Sequence, residues 1–378
     1  MATSISRDAV EADPGAILCV DEFEELARER LSHMAMEYAV AGVADEATVR
    51  ENRAAFERLR VAPRVFVDVS RIDTGVTLFG RRHDFPILLA PCSYQKLNHP
   101  DGELAAVAGA NLAGATFITA TFASVSLEDT AAASRQPLWF QLYIHPDRGF
   151  TRDLVARAEA AGYEALVVTA DVPVNGPRYR ELRAGFALPT GVGRVNLERL
   201  GKPAVSDAHR PHGRNIYSAV RAPDASWKDL ESLKTGTRLP VVVKGILHPD
   251  DAQRALEHGA DGVYVSNHGG RSVDTVPSSL EAIPAVADRV AGACPLLYDG
   301  GIRRGTDIVK ALALGATAVA VGRPWIYGLA VAGPAGVARV VEILRTELEM
   351  AMGLLGRPGL AMIDQTILWQ ASRLGQTS

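Results

Sequence analysis

The chain has 378 residues, 47% of them hydrophobic and 22% charged, with 40 Lys and Arg against 44 Asp and Glu. That balance excludes a disordered or fibrous protein, and a net charge of −4 offers no bulk attraction to nucleic acid or a membrane surface. Three cysteines, Cys19, Cys92 and Cys294, are too few for a disulfide framework or a four-thiolate metal site, and no metal-ligand spacing occurs.

Residues 1–15 are polar and acidic, unlike a secretory leader. Two amphipathic helices are predicted over 20–39 and 45–59, and a hairpin over 65–79. Together residues 1–85 read as a cap on the remainder of the chain. Eight short apolar runs then recur at 86–91, 115–120, 138–144, 164–170, 240–245, 261–267, 295–299 and 317–322. Their apolar residues are continuous rather than alternating, as in strands buried on both faces. Helical segments lie between them. Those at 151–162, 249–259 and 306–315 each end in Gly, a common helix stop. The uncharged stretch 104–127 carries too many Asn, Thr and Ser residues for a membrane span and reads as a buried helix followed by a buried strand. Even spacing of eight strands predicts an α/β fold, a closed TIM (β/α)8 barrel over 86–378 with an N-terminal helical cap. The one long gap, after the fourth strand, holds a helix near 226–234 and an insert at about 183–223. That insert is rich in Gly, Pro, Arg and His, as expected of a lid or binding loop.

In such barrels the active site lies at the C-terminal ends of the strands. Polar residues gather there: Gln141 and Tyr143, Thr169 and Asp171, Lys244, the run Ser266–Arg271, Asp299 and Arg323. Singly, each has a structural explanation; six strands carrying polar groups at one end do not. The glycines and arginines after the last two strands (Gly300, Gly301, Arg303, Gly322, Arg323) predict a phosphate site, because glycine lets backbone N–H groups approach an anion. No Walker A or GxGxxG motif occurs, so a mononucleotide cofactor is expected there. Of nine histidines, only His268 stands at a strand end near a carboxylate, Asp171, and an arginine, Arg271. That trio suggests a base whose basicity is raised by its carboxylate, beside a clamp for a substrate carboxylate.

The same residues carry a family resemblance. Ser266-Asn267-His268-Gly269-Gly270-Arg271 resembles the SNHGxRQLD signature of the FMN-dependent 2-hydroxy acid oxidases and dehydrogenases, among them glycolate, lactate and hydroxymandelate oxidases and mandelate dehydrogenase. Further matches in order are Glu51-Asn52-Arg53, Phe140-Gln141-Leu142-Tyr143, Thr169-Ala170-Asp171-Val172-Pro173, Val243-Lys244-Gly245 and Asp299–Gly305. The resemblance implies FMN across the barrel mouth, held by Pro91, Cys92, Ser93, Thr121, Gln141, Thr169 and Ser266. Lys244 would lie near N1, and Asp299, Gly301, Arg303, Gly322 and Arg323 along the ribityl phosphate. It implies Tyr38, Arg178 and Arg271 on the substrate carboxylate, Tyr143 on its hydroxyl, and His268 with Asp171 as base. Carbanion and hydride routes need the same groups.

Departures from the pattern are Ser272-Val273 where Gln-Leu is usual, for which little effect is expected, Phe122 where glycolate oxidases have Trp, and Cys92-Ser93 at the first strand end. Tyr94–Leu97 resembles the hydroxymandelate branch. The expected reaction is oxidation of an (S)-2-hydroxy acid to the 2-oxo acid, with O2 as acceptor and H2O2 as product. The resemblance also implies a homo-oligomer, a tetramer or octamer, and the composition a cytoplasmic enzyme binding neither nucleic acid nor membrane. A second reading is an FMN dehydrogenase or monooxygenase of a larger aromatic or peptide-derived 2-hydroxy acid with another acceptor. A third, a non-catalytic barrel, fits poorly with an intact base and arginines.

Overall fold

The computed structural model describes residues 14–200, 216 and 218–369; the acidic N-terminus, the middle of the insert with His209 and His212, and residues 370–378 lie outside them. Its centre is a closed, all-parallel barrel of eight strands: β3 (Ile87–Leu89), β4 (Thr116–Thr119), β5 (Leu138–Leu142), β6 (Ala165–Thr169), β7 (Val241–Ile246), β8 (Gly262–Val265), β9 (Leu296–Tyr298) and β10 (Ala318–Val321). Each coincides with a predicted run, and β10 closes on β3 through Val319 and Ile87. The runs are apolar throughout because both faces are buried. Leu88, Ile118, Trp139, Val167, Val242 and Tyr264 fill the barrel, while Ile87, Leu89, Phe117, Phe140 and Val243 pack outward on the helices. Residues 104–127 supply the helix Glu103–Ala113 and then β4, as expected.

The N-terminal segment works at both ends of the barrel rather than as one cap. Its hairpin is β1 (Val76–Leu78) with β2 (Arg81–His83), later in the chain than predicted. The tight turn is Phe79-Gly80, both with positive φ (49° and 82°), the twist that two-residue hairpins need. The residues on either side of the β-branched run that suggested an earlier start make single bridges elsewhere: Val61 with Leu368 and Asp73 with Gly359. Leu78 and Phe79 plug the barrel floor, with the Phe79 ring 5.4 Å from Trp139.

The helices go to the opposite end. The predicted helix over 20–39 is two, α1 (Val20–Arg30) and α2 (His33–Val40), because Leu31 turns extended and Ser32 caps the second through the Ala35 N–H. Then α3 (Ala47–Arg58) follows. It begins without a cap of its own, and Asp274 supplies one, accepting from the N–H groups of Asp45, Ala47 and Thr48 at 2.8–3.2 Å. The helices thereby lean on the loop after β8.

The last helix, Arg323–Leu354, is long and apolar enough to cross a membrane by length and composition. It is broken at Ala332 and Gly333, whose φ/ψ are not helical, and its buried side packs on Glu103–Ala113 and α1.

Candidate active site

At the C-terminal mouth of the barrel lies a cavity of about 520 Å³, in the size range of cofactor pockets. On its floor, β7 presents Lys244, only 4% exposed. Its Nζ donates to Ser266 Oγ at 2.7 Å and lies 3.3 Å from Asp299 Oδ2, while Ser266 Oγ donates to Asp299 Oδ1 at 2.5 Å. Strands β7, β8 and β9 are thus tied by one charged network, and the remaining ammonium proton is available to the cavity. Beside it Gln141 is fixed from two sides: its Oε1 accepts from Thr121 N at 3.0 Å and its Nε2 donates to Thr169 Oγ1 at 3.0 Å. Gln141, Thr169, Lys244 and Asp299 line the cavity. Thr121 and Ser266, expected to touch a flavin, are not among the residues that line the cavity. Both are fully buried behind the wall, where they orient Gln141 and Lys244 instead.

The opposite wall carries Pro91, Cys92 and Ser93 after β3, and Gly301, Arg303, Gly322 and Arg323 after β9 and β10. Four of the five N–H donors of Arg323 are directed at backbone carbonyls of Ala39, Val40, Ala41 and Gly269. Burial, with Arg271 and Arg303 nearby, pulls its pKa down to about 10. An added anion beside it would favour the charged guanidinium and offset that lowering. A Cβ at Gly322 would meet no protein atom closer than 3.9 Å, so packing within the chain does not demand glycine there. Glycine at that point keeps space for something else. Burial also pushes the Cys92 thiol up to about 12, so it is an uncharged wall residue. A flat polar ligand with a phosphate tail, FMN, fits this donor set: Gln141, Thr169 and Lys244 toward its ring, Arg303, Arg323 and Gly322 toward its phosphate.

His268 follows β8 in a left-handed conformation, φ 58°, held by its own N–H donating to Ser266 Oγ at 3.0 Å. Such strain in a non-glycine residue is tolerated where the surroundings fix it. Its Nδ1 is 2.9 Å from Asp171 Oδ1, which sets the tautomer and leaves Nε2 as the free lone pair. Asp171 reaches this position because Gly245 makes room: a Cβ there would lie 2.5 Å from that of Asp171. Ser272 Oγ, at a departure from the family signature, donates to the backbone carbonyl of Asp171. Asp171 raises the basicity of His268 as expected, but burial outweighs it. Burial lowers its pKa, the Asp171 charge and hydrogen bond only partly offset that, and Lys244 and Arg271 add to the lowering. For Asp171 burial acts upward, but His268 and Lys244 outweigh it and the carboxyl ends below its ordinary range. Both directions give a neutral imidazole beside a carboxylate at neutral pH.

Above His268 the arginines converge. Arg271 donates to the carbonyls of Tyr38 and Ala41 at 2.9 and 2.6 Å and lies over the Tyr38 ring at 5.1 Å. Glu181, which the sequence did not single out, bridges it to Arg178: 2.8 Å to Arg271 Nη2 and 3.1 Å to Arg178 Nε. Tyr143 also lines the cavity, and burial raises its hydroxyl to about 12, so it stays a donor. Phe122 packs 5.1 Å from Tyr143 and 6.2 Å from Tyr94. The insert adds Phe186, stacked on Tyr38 at 4.6 Å, and two further arginines, Arg194 and Arg221. The only sequence signal for these was the composition of the insert. Among the described residues no three His, Cys, Asp or Glu side chains form a metal-binding group.

Residues 27–370 match the model of the FMN-dependent dehydrogenase family. An L-lactate oxidase from Nostoc is 47% identical over 92% of this chain and 96% of its own. A 2-hydroxyacid oxidase from Dictyostelium discoideum is 41% identical over 95% of this chain and 92% of its own. Among solved structures, a mandelate oxidase with (S)-2-phenylpropionate superposes with a TM-score of 0.85 at 41% identity, covering 93% of this chain and 98% of that one. With the barrel, the histidine–aspartate pair and the flavin-shaped donor set, these place the chain in the FMN-dependent dehydrogenase family, among its 2-hydroxy acid oxidases.

Proposed function

We propose that the protein oxidises (S)-2-hydroxy acids to 2-oxo acids and passes the electrons to O2, giving H2O2. The observation that carries this is His268, with Asp171 on its Nδ1 and its other nitrogen free, in a cavity also lined by Arg178 and Arg271. Arg178 and Arg271 hold the substrate carboxylate, and Tyr143 donates to the substrate oxygen. His268 Nε2 receives the proton that the substrate loses, and Asp171 stabilises the imidazolium that results. Bound FMN supplies the two-electron acceptor that these side chains cannot provide. A cytoplasmic location and a tetrameric or octameric assembly belong to the same proposal. Three unpaired cysteines support the first, and the exposed Val65, Phe66 and Leu354 give a second copy apolar surface for the other. Light scattering on the purified enzyme reads the mass.

The test is anaerobic mixing of the FMN-loaded enzyme with glycolate, (S)-lactate, (S)-mandelate and longer (S)-2-hydroxy acids. Bleaching of the flavin band by one of them, and its return with H2O2 on admitting air, is the expected result. Bleaching without return in air transfers the acceptor role to another carrier. No bleaching by any of them overturns the reading.

A further inference from the structure

We infer that the substrate carries a second anionic group beyond its 2-hydroxy carboxylate, received by Arg221 with Arg194 at the rim. The inference rests on the function proposed above and concerns the part of the pocket that holds the substrate's side chain.

Charge in this pocket does not close. Arg178 and Arg271 share one carboxylate, Glu181, and Asp171, held by the neutral His268, adds a second, so the four arginines of this pocket face two carboxylates. Among the described residues, no carboxylate lies within 4 Å of Arg194 or Arg221. Arg221 stands with its guanidinium 5.6 Å over the Tyr143 ring, and its Nη2 donates to the neutral Asn175 Oδ1. Its Nε is buried and has no hydrogen-bond partner. An arginine N–H left unpaired away from water is unfavourable unless a ligand completes it. Arg194 lies 5.0 Å from the Phe122 ring and donates from Nε to Tyr94 Oη at 2.6 Å, which steers its fork without neutralising it. The tyrosines cannot supply the missing charge, because burial raises the hydroxyls of both Tyr94 and Tyr143. An arginine stays charged in a protein. One substrate carboxylate therefore leaves a cationic excess in the pocket, and that excess belongs to the insert side, where Tyr143 and Phe122 bound the substrate's side chain. An anion on that side chain, a second carboxylate being the simplest, would complete the Arg221 Nε and match the Arg194 fork in bidentate fashion.

The experiment compares, on the FMN-loaded enzyme, (S)-malate, (S)-2-hydroxyglutarate and (S)-2-hydroxyadipate, each with its ω-amide. The amide keeps shape and removes one charge. For the chain length that fits, the diacid is expected to exceed its amide at least tenfold in kcat/KM. Added salt should erode that preference, and glycolate oxidation should respond less. Arg221→Met should bring the ratio toward one, Arg194→Met part of the way, and Arg221→Lys should retain some of it. Flavin absorbance of each purified variant reports that it folds. Acid and amide within twofold at every length, or a monoanionic aromatic 2-hydroxy acid preferred over every diacid, overturns the inference and leaves the oxidase intact. Acid and amide falling together in both Arg221 variants also overturns it, since Arg221 would then serve the common carboxylate. Failure of the diacids, their amides and the simple 2-hydroxy acids alike to bleach the flavin removes the function itself, and the inference with it.

Discussion

At the flavin end of the cavity the working groups stand on strands, while at the substrate end they hang from the insert and from the N-terminal helices. Lys244, Ser266, Asp299 and Gln141 come from β7, the end of β8, the end of β9 and β5, and each meets a polar group from a neighbouring strand. Arg178, Glu181, Arg194 and Arg221 come from the stretch between β6 and β7, and Tyr38 from α2. Strand ends have one geometry, fixed by a closed barrel. A long connection is free to change its residues without disturbing that barrel. The first end therefore suits what every member of the family does, and the second suits what distinguishes one member's substrate from another's.

The sharpest way to separate the ends is to remove the base that lies between them. His268→Gln is expected to lower kcat by about 10²–10⁴-fold, the usual contribution of a positioned base. FMN should remain bound, because His268 joins the Lys244 network only through its backbone N–H, which the substitution keeps. A variant that reduces its flavin normally with a good substrate would remove His268 from the reaction. Next in size is Lys244→Met at the flavin end. It strands the Asp299 carboxylate in a site where that residue is 9% exposed, and breaking a buried pair costs about 3–5 kcal/mol. Purified protein should be less stable to urea and hold less flavin. If stability and flavin content are both retained, the network is not what holds this end together.

At the substrate end the corresponding change is milder. Glu181→Gln keeps the shape of the bridge but leaves Arg178 and Arg271 facing each other uncompensated. KM should rise about tenfold, equal to about 1.4 kcal/mol, with a smaller change in kcat and no loss of flavin. A fall in KM would mean that Glu181 competes with the substrate carboxylate rather than orienting its receptors. The pH profile is set by His268. Burial holds its imidazole below the ordinary value of 6.5, so kcat/KM should be flat at neutral pH and above, and fall only on the acid side of that value. In Asp171→Asn the carboxylate that opposes the lowering is gone. The acid limb should therefore move further down while the plateau drops. An acid limb above 6.5 in the parent enzyme would contradict this sign.

The contrast between the two ends also explains what the sequence revealed. The eight strands were legible because burial on both faces leaves unbroken apolar runs. Their polar terminal residues stood out against those runs, which is how Gln141, Thr169, Lys244 and Asp299 were found. Thr121 and Ser266 stood out equally. Sequence cannot tell a residue that lines a cavity from one that braces its neighbour from behind, since both are polar groups at a strand end. Glu181, Arg194 and Arg221 were invisible for the opposite reason: they lie among many charged residues in an irregular segment, and only the fold shows which of them turn inward. That Asp171 raises the basicity of His268 was readable from position, while the burial that outweighs it was not. The hairpin was misplaced because Val65–Val69 looks like a strand but the pairing partner is decided by the Phe79-Gly80 turn.

Asp274 gives the smallest effect and the finest test of the contrast. Like Asn267 and Arg271 it reaches back from the signature loop to the N-terminal helices, and its carboxylate accepts three backbone N–H groups at the start of α3. Those hydrogen bonds hold its pKa down against the upward push of burial, so at neutral pH it caps as an anion beside the positive end of the helix. Removing such a cap costs about 1 kcal/mol. Asp274→Ala should lose roughly that much in urea unfolding. Because α3 comes directly after α2, and α2 carries Tyr38 beneath Arg271, the loosening should also reach the substrate's receptors. KM should rise by a small factor, while flavin content and the acid limb of the pH profile, both set on the strand side of the cavity, should not move. A change in flavin content as large as the change in KM would show that the two ends are one mechanical unit, and that the insert and the helices do not tune substrate independently of the barrel.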